Sequence, residues 1–292
     1  MKKKSSLKHT GAFWAFCAPC CILFGVFFLV PLVLSIAFSF TNYDGWKTMD
    51  FVGLKNYITL FKDSKFYLSL GRTLLYTVCT LPFRVIIPLL VAVLLCSKRV
   101  AGKSLTRTMV YIPVLMSALV VGITINWMFS QEYGLVNFII RSLGGTALEW
   151  SLNPRLATFV IAFASVWASI GFNMILYIGG INSISNDLYE AATIDGASSV
   201  QAFFRITVPM LAPTTFMVVL LSTVNLLKEY ALVQGITQGG PGLSTTFIIQ
   251  YIFDKGFNQM QYGYASAIST VVMIIFALIA FAQFKVNNGG ET

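Results

Sequence analysis

Glu190-Ala191-Ala192, followed by Asp195-Gly196-Ala197, is the densest polar signal in a chain with little reactive chemistry. Two acids flank alanines small enough to admit another surface close to the backbone, so the chemistry on offer is docking. Asp187 and Glu190 have the spacing of a capping box, which predicts a short helix beginning at Asp187. Ala191 and Ala192 favour helix, and Gly196 supplies the left-handed residue that ends it. Ser199 is then placed to cap a second short helix with Val200, Phe203 and Phe204 on its apolar face. Pro209 and Pro213 mark the first turns of the apolar segment that follows. The plainer alternative is an amphipathic connector resting among lipid head groups.

Catalysis finds no footing elsewhere. His9 is the only histidine, so a His-dependent triad or an HExxH zinc site cannot be assembled. Gly196-Ala197-Ser198-Ser199-Val200 lacks the last glycine of a nucleophile elbow. Cys17, Cys20, Cys21, Cys79 and Cys96 fall in or beside apolar runs, where cysteine acts as a small hydrophobe, and Cys17-x-x-Cys20 has no second pair to complete a metal site. Ser97 to Ser104 looks like a phosphate loop, but serine stands where glycine is required and the loop has no room for the strand and helix of such a cradle. The chain is expected not to be an enzyme, and any ATP hydrolysis must come from a partner.

The elements that must position the polar turn are apolar. With 57% hydrophobic and 11% charged residues in 292, and a mean hydropathy of +0.77, the chain is too apolar for a soluble domain. A bilayer core about 30 Å thick takes roughly 20 helical residues. Stretches 13–40, 70–96, 108–129, 156–182, 208–227 and 264–284 qualify, predicting an all-α polytopic membrane protein with six transmembrane helices. Runs such as Val85 to Val91 do not alternate, which argues against a β-barrel. The first run is too long for a cleaved signal and is expected to stay as an anchor.

Lys2, Lys3, Lys4 and Lys8 precede the first span, and Lys98, Arg99, Lys103 and Arg107 crowd the second loop without an acid. The positive-inside rule then places both termini and the 183–207 loop in the cytoplasm, with loops 41–69, 130–155 and 228–263 outside. The expected organisation is a tail at 1–12, a transmembrane domain at 13–284 and a tail at 285–292. The net charge of +9 reads as contact with anionic lipid, not with nucleic acid.

Arg84 lies between Pro82 and Pro88 near the centre of the second span, where a charge costs about 2.5–3.5 kcal/mol to insert. It must face protein or water, either lining a cavity or bonding a carbonyl freed by a proline. Trp167, Asn173, Tyr177, Asn225 and Tyr230 are the polar and aromatic groups that could meet a hydroxyl-rich solute, with interhelical bonding or interface anchoring as the alternative. Gly239, Gly240 and Pro241 belong to a stretch whose glycine density favours irregular backbone.

The polar turn together with Ile206, Pro209 and Pro213 resembles the EAA loop of permease subunits of bacterial ABC importers, the binding-protein-dependent inner-membrane component family. The resemblance extends to Val52-Gly53-Leu54-Lys55-Asn56-Tyr57, Gly171-Phe172-Asn173-Met174, Gly239-Gly240-Pro241-Gly242 and Gly263-Tyr264-Ala265. It is strongest to the sugar-importing subgroup of maltose and glycerol-phosphate permease type. It implies a type I importer fold in the bacterial inner membrane and alternating access. It also implies that Glu190, Ala191, Ala192, Asp195, Gly196, Ala197, Phe203 and Pro209 form a coupling helix against an ATPase subunit. Further implications are a second, different permease subunit, two ATPase subunits that bind ATP and Mg, an extracytoplasmic solute-binding protein, and a path for sugar past Arg84, the span residues named above and the Gly239-Gly240-Pro241 loop. Another solute, such as a glycerol phosphodiester or modified peptide, is the alternative; a standalone channel or membrane enzyme is a further one.

Overall fold

The computed structural model describes residues 7–46, 49–97 and 102–288, with side chains from residue 14 to residue 286 of those ranges. Lys2, Lys3, Lys4, Lys98, Arg99 and the last four residues lie outside the described residues, as do the side chains of Lys8 and His9. In chain order the helices are α1 (Leu7–Phe24), α2 (Val30–Phe38), α3 (Lys55–Phe61), α4 (Ser64–Cys96), α5 (Lys103–Leu115), α6 (Ala118–Met128), α7 (Leu135–Ser142) and α8 (Pro154–Asn182). They continue with α9 (Asn186–Ile194), α10 (Ser199–Ala202), α11 (Val208–Met210), α12 (Ala212–Leu227), α13 (Ala231–Ile236), α14 (Ile248–Phe253) and α15 (Tyr262–Asn288). Single π turns join α1 to α2 and α10 to α11, and another follows α14.

Among the described residues, four helical stretches are long and apolar enough to cross a bilayer, namely Trp14–Phe38, Ser64–Cys96, Pro154–Asn182 and Tyr262–Val286. Two pairs reach that length only together, α5 with α6 and the Ser199–Met210 stretch with α12, and these bend by 101° and 66°. Six spans result when each pair is taken as one. The third is broken where the sequence predicts one helix over 108–129. Met116 and Ser117 are extended, with ψ of 145° and 136°. Pro113 removes one bond from the last turn of α5. Proline alone does not decide such a break, since Pro82 and Pro88 both stay inside α4.

The chain forms two compact units. One comprises Met1–Ser64 and Ile252–Ile275. There the Asn56 side-chain amide donates to the carbonyls of Ser39 and Thr41 at 2.9 and 2.8 Å, and Tyr264 donates to Asp63 at 2.6 Å.

The other unit, Lys65–Tyr251 with Phe276–Thr292, holds two apolar clusters. Tyr76 of α4, Ala164 of α8 and Leu226 of α12 belong to the first, with Phe129, Trp150 and Phe247. Ala92 of α4, Met174 and Tyr177 of α8 and Val218 of α12 belong to the second, with Ile184 and Leu211. Along α4 and α8 the first cluster precedes the second, and along α12 the order reverses. α4 and α8 therefore run the same way and α12 runs back, the alternation that successive spans require.

Within the larger unit, backbones touch at two crossings among the described residues. A Cβ on Gly171 would lie 2.7 Å from the Val110 carbonyl oxygen and 2.8 Å from Tyr111 Cα, so only glycine lets α8 meet α5 there. A Cβ on Gly235 of α13 would lie 2.8 Å from the Leu119 carbonyl oxygen and 2.9 Å from Gly122 Cα of α6.

Candidate functional site

The polar turn is a capped elbow. Ser185, not Asp187, caps α9, its hydroxyl accepting from the Asp187 amide at 3.3 Å. Asp187 stands instead in the first turn, where its charge favours the helix N-terminus. Ser185 is extended at ψ 134°, the backbone a cap requires, so the cap falls two residues before the expected Asp187. Gly196 is left-handed at φ +77°, as expected. The amides of Ala197 and Gly196 then reach back to Ala192 and Thr193 at 2.9 and 3.1 Å and close α9.

The second short helix is capped by Ser198, one residue before the predicted Ser199. Ser198 and Gln201 form a reciprocal capping box, with bonds of 2.8 and 3.3 Å. Tyr189 on α9 shares a 2.9 Å hydrogen bond with Thr207, just ahead of α11. Ile184, immediately before the elbow, is buried in the second apolar cluster with Tyr189 against it. One edge of the elbow is thus fastened to the spans on both sides. Glu190, Ala191, Asp195 and Gly196 are exposed, as are Pro209 and the large side chains of Leu188 and Ile194, while Ala192, Ala197 and Phe203 are half-buried.

Between the two apolar clusters lies a buried polar layer. The Arg84 guanidinium donates through Nε and Nη2 to the Ser165 carbonyl of α8 at 3.2 and 3.0 Å. Asn173 Nδ2 donates to the Arg84 carbonyl at 2.9 Å and to Ser222 Oγ of α12 at 3.2 Å. The first of these bonds has a local cause. Pro88 stands four residues after Arg84 and has no N–H, so the Arg84 carbonyl loses its helical partner and Asn173 takes the vacated place. The charge thus bonds an ordinary helix carbonyl, and the proline-freed carbonyl is Arg84's own.

Asn173→Leu is expected to cost about 1–3 kcal/mol by stranding that carbonyl. In a Pro88→Ala background the restored N–H takes over, and the loss shrinks. A double-mutant cycle of unfolding in detergent measures the difference; equal losses in both backgrounds would refute the capping account.

The other span residues separate. Trp167 is half-buried beside the first cluster, and Tyr177 is fully buried in the second. Asn225 lies exposed on α12, one and two turns beyond the exposed Leu221 and Met217. Tyr230 is half-buried at the start of α13. Arg84 and Asn173 are brought into direct contact.

The glycine-rich stretch is more ordered than its composition suggests. Gln234, Gly235 and Ile236 are helical in α13, because Gly235 serves the crossing with Gly122. Thr245 Oγ1 donates to the Gly240 carbonyl at 2.6 Å, and Thr246 Oγ1 to that of Gly239 at 3.3 Å. Gly239 is left-handed at φ +92°, and the Gly240-Pro241 peptide is cis.

Sequence reasoning missed Ser165, Ser222 and Glu229. Glu229 reads as part of an outer loop, yet it is buried, and its Oε1 accepts from the Leu232 amide at 3.3 Å to cap α13. Burial pushes its carboxyl above the usual carboxylate range, while the Arg84 guanidinium pulls it down. A serine every few turns carries no signal in an apolar helix. The spacing of Glu229 before Leu232, as a side-chain cap, could have been read.

An elbow fastened to spans and a chain built of spans fit a transport subunit. Residues 57–288 match the family model described as binding-protein-dependent transport system inner membrane component. The chain belongs to that family. Such a permease is a transport component and not an enzyme. Among curated relatives, this permease is 32% identical over 279 residues to the arabinooligosaccharides transport system permease protein AraP of Bacillus subtilis, covering 94% of this chain and 88% of that one. It is 33% identical over 283 residues to the multiple sugar-binding transport system permease protein MsmF of Streptococcus mutans, covering 95% and 96%. The permease also shares the fold of a chain in the crystal structure of a bacterial alginate ABC transporter in complex with alginate pentasaccharide-bound periplasmic protein. The TM-score is 0.82 at 23% identity, covering 95% of this chain and 94% of that one.

Proposed function

We propose that this permease is one of two unlike membrane halves of an ATP-driven importer of sugars or oligosaccharides. The observation that carries the mechanism is the capped elbow, joined through Ile184 to α8 and through the Tyr189–Thr207 bond to the segment leading into α12. A stiff helix fastened at both ends converts a push on its exposed face into movement of two spans together. Glu190, Ala191, Ala192, Asp195, Gly196, Ala197, Phe203 and Pro209 make or shape the face that an ATPase subunit engages, and ATP with Mg is held by a pair of such subunits. Both termini and the elbow are cytoplasmic, in line with the basic residues at 2–8 and 98–107.

Sugar is favoured by the transport described for the relatives. It is also favoured by the placement of hydroxyl and amide groups at the middle of α8 and α12, with Asn225 open on the face of α12. Arg84, Trp167, Asn173, Tyr177, Tyr230 and the Gly239-Gly240-Pro241 loop complete the proposed path or support it. A solute-binding protein delivers the sugar from outside.

Proteoliposomes carrying the whole assembly, with ATP enclosed and binding protein added, test the reading against a solute panel. Expected is ATP-dependent uptake of an oligosaccharide or monosaccharide. Uptake confined to a glycerol phosphodiester or a modified peptide would keep the importer and overturn the sugar; movement of solute without an ATPase would overturn the importer.

A further inference from the structure

A groove of about 730 Å³ runs between α4 and α8 in the larger unit, apart from the polar layer and the elbow. Arg72 of α4 and Arg155 at the start of α8 line one end, and no acid among the described residues lines it. Arg72 is held in place by donating from Nη1 to the Leu243 carbonyl, which leaves its remaining N–H groups for another acceptor. Two hydroxyls on its walls, Thr80 Oγ1 and Ser244 Oγ, are buried without a hydrogen-bond partner among the described residues. Thr80 is only 2% exposed. Beyond them the walls are apolar, with Phe83 and Ile87 on α4 and Phe159, Phe163 and Val166 on α8. Leu75, Phe83 and Phe159 are more than half exposed, so the groove opens sideways from the two spans.

The order of groups along α4 is the informative part. At the helical rise of 1.5 Å per residue, Thr80 and Ile87 lie roughly 12 and 22 Å beyond Arg72. Cation, hydroxyl and apolar wall thus succeed one another in the sequence in which a phospholipid presents its phosphate, its ester carbonyls and its acyl chains. α4 and α8 run in the same direction, so Arg72 and Arg155 stand toward the same head-group level. A sugar would find too few polar partners on these walls.

We propose that this groove binds an anionic phospholipid, with the phosphate between Arg72 and Arg155, an ester carbonyl toward Thr80 and Ser244, and an acyl chain along Phe83, Ile87 and Phe163. Through the Arg72 bond to Leu243, the lipid holds the loop that leads into Phe247 of the first apolar cluster. The inference requires only that α4 and α8 cross the bilayer and is independent of the solute transported.

The assembled importer, reconstituted in phosphatidylcholine nanodiscs doped with phosphatidylglycerol carrying a photoactivatable acyl chain, provides the test. Expected is labelling on α4 and α8 around Phe83 and Phe159, weaker with the same probe on phosphatidylcholine and unaffected by excess inorganic phosphate. The double variant Arg72→Gln/Arg155→Gln should reduce labelling at least about tenfold, the factor for losing two charge-assisted contacts. Ala162→Trp, which fills the groove but spares both arginines, should reduce it similarly while the assembly still elutes intact. Labelling that ignores head-group charge, persists in both variants, is displaced by free phosphate, or is replaced by crosslinks from position 159 to the other permease would overturn the proposal.

Discussion

Replacing Gly171 by valine is expected to stop this permease from accumulating in the membrane. The new Cβ would stand 2.7 Å from the Val110 carbonyl oxygen, 2.8 Å from Tyr111 Cα and 3.0 Å from Val114 Cγ2, and the first two are backbone atoms of a packed helix. Neither can rotate away, so α8 must withdraw from α5 along its length. That withdrawal would uncouple the Arg84–Ser165 and Asn173–Ser222 bonds, which lie within two turns of the crossing. Overpacking a tight site typically costs about 1–3 kcal/mol, and backbone contact at a helix crossing belongs at or above the upper end. Gly179→Ala, on the same helix with nothing within 4 Å of the added carbon, is the control and should leave levels unchanged. Membrane abundance and gel-filtration profile of the two variants decide it; a normal profile for Gly171→Val would mean that the α5–α8 crossing is not tight.

Gly196→Val should have the opposite character, leaving the protein abundant but stripping it of ATP-driven uptake. No atom lies within 4 Å of the position a Cβ would take, so sterics with the rest of the fold are not at stake. The backbone is: φ is +77°, a left-handed conformation that costs an L-residue about 1–2 kcal/mol and a β-branched one more. The turn that closes α9 would open, and the exposed face of Glu190 and Ala191 would lose its fixed angle to α10. Uptake is expected to fall at least about tenfold, the factor that 1.4 kcal/mol sets. Gly196→Asn should retain most of the activity, because asparagine tolerates the left-handed region. Full uptake by the valine variant would remove the elbow from the proposed coupling mechanism.

The contrast between these glycines shows how differently the sequence exposes its constraints. Gly196 declares its role locally: it follows a helix-favouring run, precedes a serine able to cap the next helix, and needs nothing distant to explain it. Gly171 and Gly235 declare nothing, since their partners are Val110 and Leu119, far along the chain, and no local pattern encodes a crossing point. The caps were legible to within two residues. Ser185 and Ser198 displaced the expected Asp187 and Ser199 because a cap is chosen by the extended backbone that enters the helix, and several adjacent polar residues here could serve.

Burial of polar groups followed the same division. The sequence required that Arg84 find a partner, because a charge in the bilayer centre is costly, and it pointed to a proline-freed carbonyl as one possibility. Which carbonyl met which donor was settled only when α4, α8 and α12 came together: Arg84 reaches Ser165, and Asn173 repairs the gap that Pro88 leaves. Glu229 was assigned to a loop outside the spans, yet it is buried and caps α13.

By itself the sequence determined the membrane-spanning class and the helical elbow at residues 183–207. Each of these depends on composition or on residues within a turn or two of one another. Tertiary structure alone decided the 101° break at Met116, the helical course of residues 234–236, the polar layer between two apolar clusters and the groove between α4 and α8. The physical reason is common to all four: apolar helices look alike along the chain, and only their packing tells which carbonyls, hydroxyls and glycines must meet.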